Sequence, residues 1–109
     1  MSDGEHTRRQ FLEEMVRKKP DDTFARYGLA MELAKSEPDA AWIHFAYLLE
    51  RHPDYAPAYY QAGAFLTKQG RVDEARAILT KGLDVTRRQG NRHANSELQA
   101  ALDDLEDNL

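Results

Sequence analysis

The chain has 109 residues, 41% hydrophobic and 31% charged, with a formal net charge of −4 and no cysteine. That allows one modest core and no second globular domain, and it excludes disulfides, thiolate nucleophiles and cysteine-held zinc. The apolar runs fall far short of the roughly 18 residues a membrane span needs, and the acidic balance argues against nucleic acid, whose binders present basic stripes to phosphates.

The start, MSDGEHTRRQ, is polar throughout, so no export leader is expected, and with the missing cysteines this points to the cytoplasm. Pro, Gly, Asp and Asn cluster at 18–22, 36–40, 51–55, 68–71 and 88–91, where they stop or start helices. The segments between have helical periodicity, and no β-branched run alternates with polar residues. An all-α chain follows, with six helices near 5–18, 21–35, 38–51, 55–69, 72–88 and 92–107.

Taken in order, the first segment carries Leu12 and Met15, the second Phe24, Tyr27, Gly28 and Met31, and the third Ala41, Phe45, Leu48 and Leu49. In the fourth, Tyr59, Ala62, Gly63 and Leu66 fall at i, i+3, i+4 and i+7, one stripe of a helix. Gly70 should close that helix in the left-handed conformation, and Asp73 should sit in the first turn of the fifth, at the positive end of its dipole. The fifth carries Ala75, Leu79, Gly82 and Leu83. The sixth aligns Leu98, Ala101, Leu102, Leu105 and Leu109, with Asp103, Asp104, Glu106 and Asp107 off the stripe. It reads as a cap docked beside Leu83, its acidic face brought toward Arg87 and Arg88. The basic stretch 81–93 and the acidic stretch 94–109 otherwise read as solvated faces.

Two segment pairs repeat. Phe24, Tyr27, Gly28 and Met31 align with Tyr59, Ala62, Gly63 and Leu66 at an offset of 35, and Ala41, Phe45, Leu48 and Leu49 with Ala75, Leu79, Gly82 and Leu83 at 34, which places one extra residue in the first hairpin's turn. The spacing resembles the tetratricopeptide repeat, a large residue, Leu-Gly, an aromatic, then Ala, an aromatic and Pro. The copies run from Phe24 to Pro53 and from Tyr59 to Arg87, the latter standing where Pro is usual. Leu12, Met15 and Pro20 repeat the spacing of Phe45, Leu48 and Pro53, so residues 5–20 resemble a lone second helix. The resemblance implies antiparallel hairpins stacked as a short right-handed α-solenoid. It forms a single domain over 1–109, with a flanking helix at 5–20, repeats at 21–55 and 56–89, and a capping helix at 90–109.

Gly63 and Ala75 are small where two helices cross, and every other fixed position packs or turns, so the motif specifies a scaffold. The resemblance further implies that the first helices line a concave wall that binds a peptide or protein segment. Its groove positions map onto Ala25, Leu29, Glu32 and Leu33 in the first copy and onto Pro57, Tyr60, Ala64, Thr67 and Lys68 in the second. Tyr60 stands out as an anchor, because Tyr59 already supplies the core aromatic; packing on the neighbouring inner helix is the competing role. The carboxylate clamp of some members is largely missing, since Ala25, Leu29 and Ala64 stand at its positions, with Arg26 and Gln61 beside them.

His6, His44, His52 and His93 include no i, i+4 pair, Glu13–Glu14 and Asp103–Asp104 are merely adjacent, and neither Gly63 nor Gly70 lies in a phosphate loop. No enzyme, catalytic residue, metal site or cofactor is expected. Trp42 is expected to pack against the next hairpin, exposure to a partner being the alternative. The partner is another protein or peptide; the rival reading is a homodimer formed through the exposed stacking ends.

Overall fold

The computed structural model describes residues 3–109, with side chains from Arg8 onward; His6 lies outside the described side chains. Among the described residues there are six helices and no strand: α1 Asp3–Lys18, α2 Thr23–Leu33, α3 Pro38–Arg51, α4 Ala56–Lys68, α5 Val72–Gln89 and α6 Arg92–Asp107. Local chemistry explains their ends. Asp22 and Asn91 cap α2 and α6 by accepting from the Ala25 and Ala94 amides at 3.1 Å, and prolines open α3 and α4 within their first two positions. Gly70 and Gly90 take positive φ, 77° and 68°, after α4 and α5. The Arg71 amide then reaches back to Leu66 O and the Asn91 amide to Thr86 O, both at 2.9 Å, which closes each C-terminus. Asp73 and Glu74 lie in the first turn of α5, and Arg87 and Arg88 in its last, each sign at the favourable end of the dipole.

The chain divides into two compact units, Met1–His52 and Pro53–Leu109. In the first, α1 packs antiparallel on α2, with Leu12 buried against the backbone at Gly28: a Cβ there would lie 3.2 Å from Leu12 Cδ2. Arg8 and Arg9 on α1 pair with Glu32 and Glu37. α2 and α3 form the hairpin, sealed by Ala25, Leu29, Ala30 and Leu33 on one side and Ala41, Phe45, Leu48 and Leu49 on the other.

In the second unit α4, α5 and α6 pack on one another. Gly63 and Gly82 are sites of close approach. A Cβ at Gly63 would sit 2.5 Å from Leu79 Cδ2, and one at Gly82 would sit 2.7 Å from Tyr59 Cβ and 3.0 Å from Leu98 Cδ1. The small-residue crossing expected at Gly63 is thus occupied by Leu79, and a second lies at Gly82, where all three helices meet. α6 docks through Leu98 and Leu105, both buried, while Leu109 is exposed. Asn95 ties α6 to α5 by donating to Leu83 O at 3.1 Å and Thr86 Oγ1 at 3.0 Å. The acidic face does not reach Arg87 and Arg88. Because α6 runs antiparallel to α5, its C-terminal Glu106 meets Arg76, 2.5 Å away, whereas Arg87 and Arg88 pair with Asp84 on their own helix.

The repeat register of the first helices also differs from the sequence reading. The buried set on α2 is Ala25, Arg26, Leu29, Ala30, Glu32 and Leu33. On α4 the residues 33 positions later, Ala58, Tyr59, Ala62, Gly63, Phe65 and Leu66, are all buried. Phe24, aligned with Tyr59 at an offset of 35, is 72% exposed. Arg26 is therefore the counterpart of Tyr59, and Ala30 that of Gly63. The separations Ala30–Ala41 and Gly63–Ala75 then put the extra residue in the second hairpin's turn, where Gly70 accommodates it, and not in the first.

Candidate partner-binding faces

The corrected register decides which side chains the two first helices leave outward. On α4, Pro57, Tyr60, Ala64, Thr67 and Lys68 are all exposed, with Tyr60 at 37% while its neighbour Tyr59 is at 0%. One step along a helix is about 100° of rotation, enough to send adjacent tyrosines to opposite fates. The Thr67 hydroxyl donates to Gly63 O, one turn back on the same helix, at 2.8 Å.

On α2 the residues Ala25, Leu29, Glu32 and Leu33 are buried. Their counterparts on α4 are core residues, which is why they pack instead of facing outward. Glu32 pairs with Arg8 Nε at 3.3 Å and Lys35 Nζ at 3.4 Å. The residues of α2 and the turn after it that match the exposed α4 set are Phe24, Tyr27, Met31, Ala34 and Lys35. Phe24 and Lys35 are exposed and the other three half-buried. The signal that locates them is in the sequence: Pro20-Asp21 and Pro53-Asp54 stand 33 residues apart and head the same run, with Ala25 answering Ala58 and Tyr27 answering Tyr60.

Both faces have the same chemistry, aromatic and aliphatic groups followed by one lysine, Lys68 on the last turn of α4 and Lys35 just past the end of α2. Such a surface can bury an apolar segment and attract a carboxylate at one end. The corrected α2 positions, like the α4 ones, offer no cluster of basic and amide side chains for a terminal carboxylate. Trp42 is half-buried on α3.

An open cleft of about 530 Å³ lies between α5 and α6, lined by Leu83, Thr86, Arg87, Asn91, Asn95 and Ser96; no sequence motif marks it. Among the described residues, no three His, Asp or Glu side chains converge as a metal site, and no helix is long and apolar enough to cross a membrane.

A family model described as tetratricopeptide repeat matches residues 32–102. The chain belongs to the tetratricopeptide-repeat family. No curated protein matches it. Among solved structures, a tetratricopeptide-repeat domain protein from Salinibacter ruber in solution is 36% identical, with a TM-score of 0.76 over 81% of this chain and 90% of that one. The crystal form of that domain scores 0.73 at the same identity, over 78% and 97%. A Bordetella parapertussis protein is 29% identical, with a TM-score of 0.78 over 92% of this chain and 88% of its own. Tetratricopeptide-repeat domains are typically non-enzymatic and mediate protein–protein interaction.

Proposed function

We propose that this tetratricopeptide-repeat chain is a cytoplasmic, single-domain adaptor that holds a segment of another protein on the outward faces of its first helices. In this family those faces line the concave wall. The observation that carries the reading is the pair of equivalent aromatic surfaces, Phe24 and Tyr27 on α2 and Pro57 and Tyr60 on α4. Phe24 at 72% and Tyr60 at 37% exposure offer apolar area that a partner would remove from water on binding. Ala25, Leu29, Glu32 and Leu33 support the wall from behind, while Phe24, Tyr27, Met31, Pro57, Tyr60, Ala64, Thr67 and Lys68 meet the partner.

The test is capture of a partner from a lysate followed by amide chemical-shift mapping of the labelled chain. Shifts concentrated on α2 and α4 support the proposal; shifts confined to α1, α5 or α6 contradict it. The homodimer reading draws on Phe11 on α1 and Leu109 just beyond the end of α6, 63% and 69% exposed. A mass in solution twice that of the chain, lost on replacing Phe11 and Leu109 with Ser, would favour it instead.

A further inference from the structure

Arg26 lies inside the first unit with 8% of its surface exposed, a cation where the second unit has a tyrosine. Its Nε and Nη2 donate to Pro20 O at 3.2 and 2.7 Å, and its guanidinium carbon lies 3.6 Å from the centre of the Tyr47 ring. Its Nη1 lies 3.2 Å from His44 Nδ1. A guanidinium has only donors, so His44 Nδ1 must be the acceptor, and the ring is neutral with its proton on Nε2.

We propose that Arg26 and His44 form an acid-sensitive latch between α2 and α3. A proton on His44 removes the lone pair that Arg26 needs and sets two positive charges side by side, so the first unit's hairpin loosens. The second unit has no such element. There the Tyr59 hydroxyl donates to Pro53 O at 2.7 Å and keeps its proton throughout the range in which histidine titrates.

The surroundings of His44 fit this role. Arg26 faces it from α2, and among the described residues Glu13 on α1 is the acid acting on it. Asp21, in the turn between α1 and α2, is engaged elsewhere, accepting from the Tyr47 hydroxyl at 2.7 Å and lying 3.6 Å from His52 Nε2. On α3 itself, Arg51 adds a further positive charge over the Tyr47 ring, 5.3 Å from its centre. Burial first, and Arg26 second, hold the His44 imidazole below its usual range, with Glu13 opposing them. A base whose folded pKa is depressed binds more protons when unfolded. Its contribution is present above the unfolded value near 6.5 and is lost as pH falls toward the folded one.

Trp42, the chain's one tryptophan, lies on α3 and reports this unit. Urea unfolding followed by its fluorescence, at about pH 7.5 and about pH 5.5, brackets histidine titration and avoids carboxylates. The folded-to-unfolded ratio of the native chain should fall on acidification, by at most about tenfold per pH unit from this one group. In His44→Asn, whose Oδ1 stands where Nδ1 did and cannot titrate, the fall should be smaller; equal falls overturn the latch. If that variant does not fold, ring-carbon and ring-nitrogen resonances of the native protein decide. An Nε2–H tautomer at the higher pH, with titration below the ordinary histidine range and loss of amide protection in α2 and α3, is expected. An Nδ1–H tautomer, or unchanged protection through the titration, overturns the latch.

Discussion

Arg26 and Tyr59 hold the same position in successive hairpins, and each donates to the carbonyl of the proline six residues before it, Pro20 and Pro53, at 2.7 Å. One bond of this kind anchors each first helix to the turn that precedes it. The two side chains solve the packing differently. The Tyr59 ring lies against Gly82, whereas the equivalent of Gly82 in the first unit is the buried Leu48. Tyr59→Phe should therefore cost about 1 to 3 kcal/mol by leaving Pro53 O without its donor. Tyr59→Ala should cost about 3 to 5 kcal/mol, the range for a buried aromatic. Denaturant midpoints check both.

The two glycines of the second unit should be intolerant of size. Gly82→Ala puts a methyl group 2.7 Å from Tyr59 Cβ, an atom too close to the backbone to swing away. The expected loss is about 1 to 3 kcal/mol, even though alanine is the better helix former. Gly63→Leu meets Leu79 and should lose at least as much. A midpoint unchanged at the same denaturant slope would contradict the crossing geometry.

Phe24 and Leu29 separate the two repeat registers by stability alone. Phe24→Ala removes a side chain 72% exposed and should change stability by no more than about 0.5 kcal/mol. Leu29→Ala empties a core position and should cost about 2 to 5 kcal/mol. The reverse order would restore the offset of 35.

What could be read from the residues alone follows from which physical signals are local. Helix boundaries came within a few residues because Pro20, Pro38, Pro53, Gly70 and Gly90 act on the backbone where they stand. The second hairpin's core followed from Tyr59, Gly63, Ala75 and Leu79, each a residue type matched to its role. The first hairpin misled at α2, because a buried arginine carries no hydrophobic signal, and Phe24, Gly28 and Met31 imitate the expected stripe two residues out of phase. Four of the nine expected groove residues shared that shift, so they fell on the core side. The α6–α5 ion pair between Glu106 and Arg76 depended on the direction of packing, which a charge pattern does not encode.

The last helix should be held by its apolar stripe and not by that ion pair. Leu98, fully buried beside Gly82, should cost about 2 to 5 kcal/mol when truncated to Ala. Glu106→Gln should cost under about 1 kcal/mol, because both partners are open to solvent. Comparable losses for the two would mean that α6 is docked electrostatically.

The claim that the exposed faces of the first helices do the binding is tested most directly at Tyr60, by measuring the affinity of Tyr60→Ala for a captured partner beside its melting temperature. The side chain is outward and its neighbour Tyr59 holds the core, so the melting temperature should stay close to that of the native chain. The affinity should fall by roughly 1 to 2 kcal/mol, about five- to thirtyfold in Kd. A variant that melts like the native protein and binds the same partner with the same affinity would contradict the account at its strongest residue.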